Sequence, residues 1–118
     1  MKSINRFKEV SVNEFIDALE ELPSHEIRDS WIGWLNNYNT PGPYNRLPNQ
    51  NHTARFVYNQ MTYPAMLIWL AEAAGVEKRL VKKAKVESGK VDNLKTQCGK
   101  IREQVPWDVL EHALWRST

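Results

Sequence analysis

Apolar residues along this chain recur at helical spacing. Val12, Phe15, Ile16, Leu19 and Leu22 fall on one helix face. Ser11-Val12-Asn13-Glu14 reads as the capping box that opens it, with Val10 and Phe15 placed for a hydrophobic staple. Pro23 ends this segment, and Ser24 is placed to cap the next. The second stripe is Ile27, Trp31, Trp34, Leu35 and Tyr38. Gly33 lies within it, weakens the helix by about 1 kcal/mol relative to alanine, and is expected to let another helix approach closely. Thr53 is placed to cap a third helix with Phe56, Val57, Tyr58 and Met61 as its apolar positions, and a break is expected near Thr62-Tyr63.

The most apolar run, Met66 to Val76, has Glu72 as its only charge. Pro64 suits a first helical turn. Gly75 suits a left-handed C-terminal cap, with Val76 folding back on the last turn. A short helix that is apolar nearly all round is expected to be buried on most sides, as the central helix of a helical domain. After it, Glu77 to Ser88 reads as a basic helix with Leu80, Val81 and Ala84 facing inward and Gly89 at its end. Val91, Leu94, Cys98, Ile101 and Val105 form an amphipathic series. Pro106 restarts the chain as a final helix, Trp107 to Arg116, with Trp107, Leu110, Ala113 and Leu114 apolar and Trp115 on a flank.

No segment alternates apolar and polar residues over five positions with β-branched enrichment, and no Asn-Gly hairpin signal occurs. The expected fold class is therefore all-α: a compact single-domain bundle of about six or seven short helices. It would span residues 1–118, with an N-terminal arm at 1–10 and one long Pro/Gly/Asn-rich loop at 38–52. A loop of that length in a small domain is commonly functional.

Composition agrees with a folded domain. The chain has 118 residues, 42% hydrophobic and 25% charged, enough to bury roughly two-thirds of its unfolded surface without a disulfide or metal. With Cys98 the single cysteine, no internal disulfide forms, which fits a reducing compartment. The first residues carry Lys2, Arg6 and Lys8 and no apolar core of a secretory signal, and no run is long enough to span a bilayer. A cytoplasmic protein with no membrane partner is expected. The net charge of +2 is uneven: residues 77–103 carry nine basic and four acidic side chains, leaving an acidic remainder concentrated between Glu14 and Asp29.

Signals for chemistry are weak. His25, His52 and His112 are far apart and lack metal-ligand spacing. Cys98 sits on an apolar series, where a thiol is inert. The five glycines are isolated, so no phosphate-binding loop is present. No catalytic residue, metal or cofactor is expected, and the chain reads as no enzyme. Two regions stand out for binding. Lys78, Lys82 and Lys85 share one helix face, with Arg79 and Lys83 beside it, a stripe that could follow phosphates or an acidic partner. Tyr44, Arg46, His52, Arg55 and Tyr58, on the loop and its exit helix, are the aromatic and arginine types that anchor protein interfaces.

The runs Ala54-Arg55-Phe56-Val57-Tyr58-Asn59, Met66 to Gly75, Ile101-Arg102 and Pro106-Trp107 resemble short uncharacterised proteins of bacterial and prophage type. That resemblance implies a bacterial or mobile-element setting and brings no catalytic residue. The leading expectation is a non-enzymatic module that binds a protein or nucleoprotein partner, as a phage-type modulator of a host complex. Nucleic-acid binding through the 78–85 helix is the first alternative, and a small enzyme or ligand pocket near His52, Arg55 and Tyr58 the second. Five tryptophans and an all-round apolar helix also suggest a homodimer interface.

Overall fold

Residues 9–37 and 53–115 are described by the structure, a computed structural model. Among them the chain is all-α, with seven helices: α1 (Val12–Glu20), α2 (Glu26–Asn36), α3 (Ala54–Gln60), α4 (Pro64–Ala74), α5 (Lys78–Ser88), α6 (Leu94–Gln104) and α7 (Trp107–Trp115). Extended backbone pairs only at an isolated antiparallel bridge, Ser11 to Thr53, among these residues. The expected loop at 38–52 and the arm before residue 9 lie outside the described residues. Two compact units meet in sequence between Tyr58 and Asn59, inside α3.

In the first unit α1 packs on α2. The Ser11 hydroxyl accepts the Glu14 N–H at 3.1 Å, as the capping box requires, and both staple residues, Val10 and Phe15, are buried. Phe15 and Trp31 lie 5.8 Å apart between ring centroids, and Trp31 meets Trp34 edge-on at 5.6 Å. Such pairs add about 0.5–1.5 kcal/mol beyond area burial. Opposite them, Thr53 caps α3 by accepting the Phe56 N–H at 3.1 Å, and Ala54 donates to the Val10 carbonyl at 2.8 Å.

Three expectations in this unit are corrected. The cap of α2 is His25, not Ser24: its bare Nδ1 accepts the Ile27 N–H at 3.0 Å, the job an Asn or Ser oxygen usually does. Phe56 is exposed, because α3 turns Ala54, Val57 and Tyr58 inward instead. Gly33 admits no close helix: nothing among the described residues lies within 4 Å of where its Cβ would sit.

The second unit is arranged around α4, which packs against α5, α6 and α7. Leu67, Leu70, Ala71 and Ala74 are buried. Burial is narrower than expected, since Met66, Ile68 and Trp69 are only half-covered and Ala65 is exposed. Pro64 occupies the first turn, and Gly75 takes the left-handed conformation at φ 86°. The α5–α6 pair is closed by Asn93, whose side chain accepts the Thr96 N–H at 3.0 Å. Arg102 donates to the Met61 carbonyl at 2.8 Å, fastening α6 to the strap before α4. Leu94 is exposed although it shares the face of Cys98, Ile101 and Val105, being the first residue of its helix. Trp115, expected on the flank, is instead buried against Trp107, at 6.5 Å between centroids, and Leu114, expected to face inward, is only half-buried. Arg116 lies outside the described residues.

The glycines separate local cost from structural need. Gly33→Ala is expected to raise the urea midpoint, by up to about 1 kcal/mol of stability. Gly75→Ala is expected to lower it by about 1–2 kcal/mol, the penalty of a Cβ in left-handed backbone. A loss at position 33, or no loss at 75, would contradict these placements.

Candidate functional site

The end of α4 builds a corner. Gly75 donates to the Glu72 carbonyl at 3.2 Å and Val76 to the Ala71 carbonyl at 3.0 Å, the paired bonds of a Schellman motif. Only Gly75, Val76 and Glu77 separate α4 from α5. Glu77 is the N-cap residue, at φ −50° and ψ 132°, and its carbonyl accepts from Leu80 at 3.0 Å and Val81 at 3.2 Å to start the new helix. The last turn of α4 and the first two turns of α5 are thereby held side by side.

A groove of about 560 Å³ opens at this corner, a size common for ligand sites of ~300–1,000 Å³. Gly75, Val76 and Val81 line its base, both valines being buried. Lys78, Lys82 and Lys85, at i, i+4 and i+7 on α5, line it with exposed side chains. Glu72 and Glu77 complete the lining.

Charges at the groove are unequally answered. Lys85 Nζ lies 2.8 Å from Glu72 Oε2, a bond between α5 and α4. Arg79 Nε lies 2.7 Å from Glu77 Oε2. Each pair is more than half exposed and is worth only about 0–1 kcal/mol. Lys78 and Lys82 form no ion pair among the described residues. The first turn of α5 holds no acidic side chain, and Glu77 makes no side-chain cap bond. A cation there opposes the helix macrodipole, a conflict of about 0.3–1 kcal/mol. The groove therefore joins an apolar base to a positive edge made by two unanswered lysines and a helix N-terminus.

The basic stripe read from the sequence is thus divided. Lys78, Lys82 and Lys85 reach the groove; Arg79 and Lys83 lie on α5 outside its lining. Of the other candidate set, Arg55 and Tyr58 lie among the described residues. Arg55 is exposed on α3, its Nε 3.6 Å from Glu9 Oε2. Tyr58 is 1% exposed and belongs to the core, so it offers no contact surface. Tyr44, Arg46 and His52 lie outside the described residues. Sequence reasoning missed Glu72, Val76 and Glu77 as partners of the lysines. The signal was the two-residue connection after Gly75, too short for α5 to leave the end of α4.

Other titratable groups have structural surroundings. His25 caps α2, and His112 is exposed on α7. No group of three or more His, Cys, Asp or Glu gathers as a metal site among the described residues, and no helix there is long and apolar enough to cross a membrane. Lys90, at 2.7 Å, holds the Glu87 carboxyl below its usual range by hydrogen bond and charge. Burial pushes the Cys98 thiol up, against a smaller opposing effect of Arg102. Ile101 and Trp107 of the quoted resemblance are buried and Arg102 ties down Met61, so these positions serve packing. Comparison with protein-family models, curated proteins and solved structures finds no match to this chain.

Cys98 should resist alkylation at neutral pH in the folded protein and react fully in denaturant, because its thiol is buried and kept protonated. Rapid modification without unfolding would show that α6 does not shield it.

Proposed function

We propose that this chain is a non-enzymatic binding module whose contact surface for a protein partner is the α4–α5 groove. The observation that carries this is the concave apolar base at Val76 and Val81, edged by Lys78 and Lys82 with no ion pair of their own among the described residues. Apolar pockets with a polar rim are where interface anchors concentrate their energy. Candidates for bond-making chemistry have other roles: Cys98 is buried with a raised thiol, and His25 accepts a helix N–H. The resemblance to prophage-type proteins supplies a setting, the modulation of a host complex. Tyr44, Arg46, His52 and Arg55 are a second proposed contact region, on residue type alone.

Nucleic acid along α5 is the alternative, favoured by the exposed Lys78, Lys82 and Lys83. No aromatic among the described residues lines the groove for base stacking.

A photo-crosslinking amino acid at Glu77 should yield a discrete protein adduct in an extract of the producing cells. The same group at exposed Asp92, beyond the far end of α5, should not. Equal adducts at both positions, none at Glu77, or adducts to nucleic acid alone would remove the groove from this role.

A further inference from the structure

We propose, building on the protein-binding role assigned to the groove, that its occupant is an acidic amphipathic helix. Two carboxylates one turn apart would meet Lys78 and Lys82, and an aliphatic side chain beside them would enter over Val76 and Val81.

Charge complementarity selects the acidic character. Glu72 already answers Lys85 at 2.8 Å and Glu77 answers Arg79 at 2.7 Å. Lys78 and Lys82 remain, on the same face and beside a helix N-terminus that has no side-chain cap bond and no acidic residue in its first turn. A cation at Lys78, in the first turn, works against the local dipole. Both lysines line the groove. A local preference broken without a structural return is the mark of a functional position. A carboxylate arriving at this corner would meet both lysines and the free N–H groups of the helix start.

Spacing and the apolar base select the amphipathic helix. Lys78 and Lys82 are separated by about 6 Å along the α5 axis, four residues at ~1.5 Å each. Carboxylates at i and i+4 of a partner helix have the same separation and leave position i+3 on the same face for an aliphatic group. A helix seated in an apolar groove is an established mode of peptide recognition. Val76 and Val81 line the groove and offer an aliphatic anchor an apolar contact that a sugar-phosphate backbone would not use.

The probe is a synthetic alanine-based helical peptide with Glu at i and i+4 and Leu at i+3, labelled for fluorescence anisotropy against the full chain. Saturable binding is expected, weakening as salt is raised. The double substitution Lys78→Ala/Lys82→Ala should weaken it about tenfold or more, while the urea midpoint stays level or rises. That second readout separates a binding role from a structural one, since structural lysines would lower the midpoint. Leu→Ala in the peptide should also weaken binding. Equal binding of a peptide with Gln in place of Glu, unchanged binding by the double variant, or tighter binding of a duplex oligonucleotide would overturn the proposal. A protein adduct at Glu77 together with no binding of the acidic peptide would keep the groove as an interface and reject this occupant.

Discussion

Burial of α4 is the constraint from which the second unit follows. One charge in its 11 residues leaves this helix with almost no face that water stabilises. Leu67 and Leu70 are fully buried, each worth about 1.5–3 kcal/mol relative to exposure, and α5, α6 and α7 all pack against the helix. Because α4 is covered by three neighbours, its exit must be sharp. Gly75 supplies the left-handed turn, and the Schellman bonds consume the carbonyls of Ala71 and Glu72. The connection that remains holds α5 against the end of α4, and the groove is the space left at that corner. The groove is thus a consequence of how the core helix is terminated.

Packing on one side of α5 and charge on the other follow different rules. Val81 and Ala84 are buried, and Leu80 is partly covered. Ion pairs near the groove are exposed and weak, so they shape the charge pattern more than they hold the fold. What matters at the groove is the imbalance: Lys78 and Lys82 form no ion pair among the described residues, and Lys78 stands in the first turn, where the helix itself disfavours a cation. Stability would be served by an aspartate or glutamate in that turn. The chain has lysine and arginine there, a choice that makes physical sense if an acidic group comes from elsewhere.

Much of the fold was legible because its signals are local. Ser11, Thr53, Pro64 and Gly75 do what their residue types require within a single turn, and the helix boundaries follow from them. Non-local facts were less legible. His25 displaced Ser24 because an imidazole can present a lone pair to a helix N–H, which propensity ranks poorly. Phe56 and Leu94 are apolar yet exposed: Phe56 points away from the buried face of α3, and Leu94 is the first residue of α6. The lysine stripe could be read from i, i+4, i+7 spacing, but Glu72 lies 13 residues before Lys85 and meets it only through the turn at Gly75. The concavity itself has no sequence signature, being a product of two helices and the angle between them.

Amide hydrogen exchange tests the central position of α4 most directly. The amides of Leu70, Ala71 and Ala74 should exchange among the slowest of residues 59–115, together with those of Ile101 and Leu110, opening only when the whole unit unfolds. If they exchange as fast as the exposed amides of α5 while α6 and α7 stay protected, α4 is not the element that organises this unit, and the groove loses its foundation.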